Sequence, residues 1–242
     1  MKKRVGLAGT VVAGVAAMTL FAGQAQASVI WDGDASKGTG VFAHVGSNCA
    51  SPGSLTAVND SSRGAVWRYR KPGGLNRCES RGIANGGTDY AFTNGRTYYL
   101  GWTSKLSSTV DNNAVFQWKS YGDFSQNWPV VLKMISGRLT MIQRQPDGTV
   151  HTIWSKAVSA NSWNHIVVGL HLSDQTKGGW VELWFNGSKQ TFNSGTQRWQ
   201  CRTWDSENHP KWGVYGAQAN AVDHYVDALK VGTAYGDVDQ AG

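Results

Sequence analysis

An all-β fold, a single-domain jelly roll or related sandwich of two antiparallel sheets, is predicted by three observations on this 242-residue chain. Only three glutamates occur, Glu79, Glu182 and Glu207, so helices laced with Glu/Lys pairs form no large part of it. Glycine (30 residues) and aromatic side chains (11%) are abundant, as suits strands joined by tight turns. Short segments of alternating polarity recur between turn signals, and no long amphipathic helix interrupts them. The low charge density, 16%, together with the aromatic content also disfavours disorder.

The chain opens with Lys2, Lys3 and Arg4, an apolar stretch from Val5 to Phe21, and the small-residue site Ala25-Gln26-Ala27. This pattern predicts a secretory signal peptide over 1–27 and a mature domain over 28–242, hence a secreted, extracellular protein. The leader run is short and dotted with Gly and Thr, unlike an anchor, and no later apolar run is long enough for a bilayer, so no membrane attachment is expected. Three of the 23 basic residues belong to the leader, leaving 20 against 16 acidic ones and a net charge of +4. That modest charge, with no Lys/Arg run, argues against nucleic acid as a partner. Neither linker nor internal repeat divides the mature part, so one domain, and a monomer, is expected.

Strands are predicted at 64–70, 97–106, 114–119, 130–135, 138–145, 165–172, 180–185, 211–215 and 224–231. Ser136-Gly137, Asp147-Gly148 and Asn186-Gly187 supply tight turns between neighbours. Export allows one disulfide among Cys49, Cys78 and Cys201; Cys49–Cys78 is preferred because it closes the shorter loop, although the sequence does not fix the pairing.

Side chains two apart share a face of a strand. In 77–81, Arg77, Glu79 and Arg81 then lie together while Cys78 and Ser80 turn away. In 115–119, Gln117 and Lys119 share a face and Phe116 and Trp118 turn inward. In 211–215, Lys211 and Tyr215 flank Gly213, whose missing side chain leaves space, and Trp212 and Val214 point inward. One such polar face is ordinary for an antiparallel sheet. Three of them, all built from long polar side chains, point to a functional groove.

The chemistry is narrowed by what is missing. A glycosidase needs two carboxylates flanking the scissile bond, and the one close Asp/Glu pair, Asp205-Ser206-Glu207, reads as a solvated turn. No G-x-S-x-G elbow and no H-E-x-x-H motif is present. His165 and His171 fit structural positions, whereas His209, two residues before Lys211, borders the expected groove. Arg, Lys, Gln and Tyr together suit β-elimination from a uronic acid. The C5 proton is weakly acidic because the adjacent carboxylate is already negative, and cations or hydrogen-bond donors on that carboxylate lower the barrier. A tyrosine placed among cations ionises more readily, can take the proton and can return one to the leaving O4.

These residues resemble a known family. Arg77-Cys78-Glu79-Ser80-Arg81 is similar to the R-x-E-x-R strand of jelly-roll alginate lyases, Gln117-Trp118-Lys119 to their Q-x-H strand, and Lys211-Trp212-Gly213-Val214-Tyr215 to their K-x-G-x-Y strand. The segments Phe116-Gln117-Trp118-Lys119 and Asp227-Ala228-Leu229-Lys230-Val231-Gly232 look closer to glucuronan lyases and jelly-roll heparin lyases. The resemblance implies Tyr215 as base and acid, Gln117 and Arg77 as carboxylate neutralisers, Lys211 as a subsite or phenolate-stabilising cation, and Arg81 and Lys119 as substrate-binding groups; His209 joins the substrate-binding set by its position beside Lys211. Glu79 would orient Arg77 or Arg81. It also implies an acidic polysaccharide as the partner. Lys119 replaces the family histidine, which argues against polyguluronate and for syn elimination on a β-1,4-linked D-uronate, glucuronan first and polymannuronate second.

No cofactor is required for that chemistry. A structural calcium is the metal expectation, on Asp32, Asp34 and Asp227, because first and last strands of jelly rolls often adjoin. The rival to a lyase is a lectin-like sandwich that stacks sugars on Trp102, Trp128, Trp199 or Trp204 without cutting them; a lyase of another acidic glycan, heparin-type, is the alternative within the enzyme class.

Overall fold

The computed structural model of the protein describes Met1 and residues 28–239; the expected signal peptide, its first residue apart, lies outside the described residues. Strand formation follows the period-two patterning. Chain order gives β1 (Val29–Asp32), β2 (Ser54–Asp60), β3 (Gly64–Lys71), β4 (Arg77–Arg81), β5 (Ala84–Asn85), β6 (Thr88–Asp89), β7 (Thr97–Leu106), β8 (Asn113–Ser120) and β9 (Val130–Ile135). It continues with β10 (Arg138–Arg144), β11 (Val150–Ala157), β12 (Asn164–His171), β13 (Gly179–Phe185), β14 (Ser188–Lys189), β15 (Trp199–Cys201), β16 (Asn208–Gly216) and β17 (Val222–Gly232). Only short 3₁₀ turns accompany them among the described residues, so the all-β prediction holds.

Two antiparallel sheets face each other in a jelly-roll sandwich. One runs β14-β13-β12-β7-β17-β3-β2, with β1 added on β17 and β15 on β13; the other runs β11-β10-β9-β8-β16-β4. The hairpin β13–β14 turns through Asn186 and Gly187, and β9–β10 through Ser136 and Gly137, all four at positive φ as a type I′ connection requires. The sequence did not reveal β1, β2, β11 or β15, nor the two-residue strands β5, β6 and β14. β2 is an edge strand in which Leu55 alone is buried, so its alternation is weak.

The core lies between the sheets and is built from the inward alternates. Phe116 stacks on Trp102, Trp212 on Trp31, and Phe92 meets Trp118 edge-on, with centroids 4.9, 5.8 and 5.0 Å apart. Trp102 is fully buried, which overturns its expectation as an exposed sugar platform: it is in phase with Leu100 and Leu106 on β7 and therefore faces the core. Trp128, Trp199 and Trp204 are half-buried. Several buried polar atoms of the core are paired: Trp67 Nε1 donates to the Gly33 carbonyl (2.7 Å), Trp118 Nε1 to that of Thr203 (2.7 Å), and Tyr69 shares a bond with Ser80 (2.8 Å).

Cys49 and Cys78 form a disulfide, and Cys201 is a buried free thiol. The bridge ties β4, the edge strand of the six-stranded sheet, to the 3₁₀ turn Gly46–Cys49. The three aspartates expected to hold calcium do not converge. Asp32 pairs with Lys37 (3.1 Å), Asp34 accepts from the Ser36 backbone, and Asp227 pairs with Arg63 (3.1 Å). Among the described residues no group of three or more His, Cys, Asp or Glu side chains is placed to hold a metal ion. The physical reason is register: Asp32 lies opposite Lys230, and a bulge in β17 separates that position from Asp227. No helix among the described residues is long and apolar enough to cross a membrane.

Candidate active site

β16 lies between β4 and β8, so the three polar segments of the sequence are adjacent strands. Lys211 is opposite Arg81 on one side and Gln117 on the other; Tyr215 is opposite Arg77, and His209 opposite Lys119. The alternation that sends Cys78, Ser80, Phe116, Trp118, Trp212 and Val214 into the core leaves Arg77, Glu79, Gln117, Lys119, Lys211 and Tyr215 on the outer face.

Glu79 organises this face from below. Its carboxylate is buried, accepting from Lys211 Nζ at 2.6 Å and from Gln117 Nε2 at 2.5 Å, with Arg77 Nη1 at 3.9 Å. The expectation that it orients Arg77 or Arg81 gives way to a tighter pairing with Lys211 and Gln117, which stand opposite each other across β16 and β8. Lys211 is itself only 2% exposed, so its charge is offset in place by Glu79. Burial pushes its pKa down, while Glu79 opposes the shift.

Arg77 lies over the Tyr215 ring, guanidinium carbon 4.6 Å from the centroid, and Arg81 lies over Tyr121 at 4.3 Å. Lys119 donates to the Ser120 carbonyl (2.9 Å) and approaches the Tyr121 and Phe124 rings. Partial burial first, then the positive charges of Lys211 and Arg77, bring the Lys119 pKa down to about 8. Burial raises the Tyr121 phenol to about 12 despite Arg81. His209 is bonded to Glu207 (2.7 Å) and packs against the Tyr121 ring; burial lowers its pKa.

A depression of about 210 Å³ gathers Asn48, Arg77, Gln117, Lys119, Tyr121, Phe124, Asn127, Trp128, Lys211 and Tyr215. A second, of about 260 Å³, continues past Gln117, Trp128 and Tyr215, which line both, toward Asn112, Val131 and Lys133. Together they make one groove across the six-stranded sheet with Tyr215 at its middle. Of the residues expected there, Arg77, Gln117, Lys119, Lys211 and Tyr215 line it; Arg81 and His209 stand behind Tyr121 instead.

Sequence reasoning missed Tyr121 and Phe124, and raised Trp128 only as a sugar platform of the lectin-like alternative. Tyr121 continues the Gln117, Lys119 alternation, a signal present in the sequence; Phe124 and Trp128 sit on the connection from β8 to β9, where no periodicity applies. That connection is clasped by Asp205, which is wholly buried and not the solvated turn expected from its sequence context. Asp205 accepts from the Ser120 and Ser125 hydroxyls, the Gln126 backbone N–H (3.1 Å) and Arg202 (3.3 Å). Burial alone would raise its pKa, but hydrogen bonding with Asp123 first, then with Ser120, the Gln126 backbone and Ser125, outweighs it and holds the carboxyl at about 2.

Gly213 serves a different purpose from the one expected. Its φ is 138°, and a Cβ there would strike the Cys78 carbonyl and Glu79 Cα, so close approach of β4 demands glycine. Behind it, buried His224 bonds the Gly213 carbonyl through Nδ1 (2.8 Å) and Ser104 Oγ through Nε2 (2.7 Å). Burial lowers its pKa to about 4, so it is neutral near pH 7 and donates from Nδ1.

The fold is similar to those of solved proteins. The endo-β-1,4-glucuronan lyase of the fungus Trichoderma reesei superposes with a TM-score of 0.60 at 17% identity, covering 82% of this chain and 93% of the other. The polysaccharide lyase family 7 alginate lyase AlgAT5 gives 0.50 at 12% identity over 72% and 81% of the two chains. Another family 7 alginate lyase, solved in complex with substrate, gives 0.52 at 13% over 72% and 80%. These likenesses show the fold. No curated protein sequence matches the chain. A family model described as polysaccharide lyase matches residues 32–230, which include all three polar strands and the groove they form, so the chain belongs to the polysaccharide lyase family.

Proposed function

We propose that this lyase is secreted and cleaves a β-1,4-linked D-uronate polymer, glucuronan first and polymannuronate second, by syn β-elimination. The observation that carries the proposal is the position of Tyr215: at the middle of the groove, with Arg77 on its ring and Gln117 and Lys119 along the same wall. The Tyr215 oxygen removes the C5 proton, the C4–O4 bond breaks as the C4–C5 double bond forms, and the same phenol returns a proton to O4. The products are a 4,5-unsaturated uronate end and a new reducing end.

Each neighbour has a physical part. Arg77, about two-fifths exposed beside Tyr215, carries the positive charge that meets the uronate carboxylate. Gln117 spends one amide proton on Glu79 and keeps the other for the carboxylate as charge builds on it. Lys119 and Arg81 add long-range attraction for a polyanion, whereas Lys211, neutralised by Glu79, fixes Gln117 indirectly by holding their shared carboxylate. A single tyrosine suffices when the C5 proton and O4 lie on one side of the sugar, as in β-D-glucuronate and β-D-mannuronate.

The test is a panel of glucuronan, polymannuronate, polyguluronate, hyaluronan and heparin, read by the ultraviolet absorbance of unsaturated uronate. The expected result is strongest absorbance growth on glucuronan and none on polyguluronate. Polyguluronate as the preferred polymer would overturn the syn assignment, and silence on every polymer would overturn the uronate reading.

A further inference from the structure

The two halves of the groove differ in chemistry. On one side of Tyr215 stand Arg77, Lys119 and Tyr121. On the other, the outer sheet face carries a small apolar cluster of Ala114, Val131 and Ile142, separate from the main core, with Trp128 and Tyr215 packed against it. These three aliphatic residues come from adjacent strands β8, β9 and β10, with Val131 opposite Gln117 and Ile142 opposite Val131. They floor the second depression, whose rim is polar: Asn76, Asn112 and Lys133. An outer sheet face is ordinarily polar, so this floor is an exception within the groove itself.

An unsubstituted uronate ring seated there would press hydroxyls against aliphatic carbon and leave them without partners, at a cost. An acyl substituent fits the same surroundings, its methyl against the floor and its carbonyl toward the amide and ammonium groups of the rim. The floor is also continuous with the candidate catalytic groups, because Gln117, Trp128 and Tyr215 line both depressions. Resting on the uronate-lyase reading above, we infer that the arm floored by Ala114, Val131 and Ile142 is a subsite for an acetyl-bearing sugar next to the cleaved bond. The acetyl group is carried as an ester on the uronan or as an amide on a hexosamine alternating with uronate.

Binding to the Tyr215→Phe protein, which keeps the ring and slows cleavage, is measured by calorimetry with matched oligosaccharides. One pair is O-acetylated glucuronan oligosaccharide and its saponified form; the other is an N-acetylated uronate–hexosamine oligosaccharide and its N-formyl form, which retains the amide and lacks the methyl. Burying one methyl is expected to favour the N-acetylated member over its N-formyl form by about fourfold, and the O-acetylated member over its saponified form by at least as much. Preference in the first pair alone assigns the ester, and in the second alone the amide. Val131→Thr, which puts a hydroxyl on the floor at nearly constant shape, is expected to bring the ratio to about one, and Ala114→Ser serves the same purpose should Val131→Thr not fold. Equal affinities within both pairs, or a preference that survives in a folded floor variant, would overturn the subsite. Because affinity is read without turnover, absence of unsaturated product on every polymer would count against the lyase reading alone.

Discussion

Glu79 and Lys211 form a buried ion pair at 2.6 Å directly beneath the groove, and the energetics of such pairs are asymmetric. Removing one partner strands the other without water, a loss of about 3–5 kcal/mol for Glu79→Gln. The double variant Glu79→Gln, Lys211→Met is expected to regain much of that stability while Gln117 loses its anchor and turnover stays low; denaturant midpoints and initial rates measured side by side check both parts. Lys119 makes a pH-dependent prediction. Its folded-state pKa is lowered to about 8, so its positive charge is present below that pH and is lost as pH rises through it. KM for polyuronate should therefore climb above about pH 8, and Lys119→Arg should move that rise to higher pH; a KM flat through pH 9 would remove Lys119 from polymer binding.

Strand β16 shows how element-level demands shape the site. It needs Gly213 where β4 crowds it, and it needs His224 of β17 to satisfy the Gly213 carbonyl from the core side. Because His224 has a pKa near 4 when folded and about 6.5 when unfolded, the unfolded chain binds the extra proton between those values. Stability is therefore present above about pH 6.5 and lost as pH falls toward 4, by about 3 kcal/mol at most. A His224→Gln variant should show a shallower loss over that window in thermal midpoints against pH. The segment between β8 and β9 depends on Asp205 in a comparable way. Asp205→Asn weakens the bonds from Ser120, Ser125 and Arg202, and the expected effect is a raised KM with kcat less affected, since Phe124 and Trp128 wall the groove without touching the reacting atoms.

These elements also mark what was legible beforehand. Period-two alternation placed β4, β8 and β16 and sorted Phe116, Trp118 and Trp212 to the core from Gln117, Lys119 and Lys211 outside, because polarity and parity agree in those strands. Parity would have placed Trp102 and Tyr121 too, had it been followed past the predicted polar segments. It fails for Val131, whose strand is apolar on both faces apart from Lys133, so nothing local separates groove floor from core there; Ile142, in phase with Arg138, Thr140 and Arg144, was legible as outward-facing. Asp205 was illegible for another reason: its partners Ser120 and Ser125 lie 85 and 80 residues away, and burial of a turn residue depends on that long-range packing.

For the whole molecule, the proposed function has the sandwich hold one outer sheet face rigid under a long polyanion. Its core is sealed by Trp31, Trp67, Trp102, Trp118 and Trp212, which accounts for five of the twelve tryptophans without any sugar-binding role. The Cys49–Cys78 bridge staples the edge strand carrying Arg77, and its 29-residue separation corresponds to about 2–4 kcal/mol of chain-entropy stabilisation. Reduction should lower the thermal midpoint and reduce activity together, while blocking Cys201, buried and held as a thiol by a raised pKa, should require prior unfolding. The central claim is that Tyr215 moves the proton. Single-turnover formation of unsaturated uronate from glucuronan by the native protein and by Tyr215→Phe tests it most directly: the account predicts a loss of about 10²–10⁴-fold with oligosaccharide affinity retained, and a near-normal rate in the variant would contradict it.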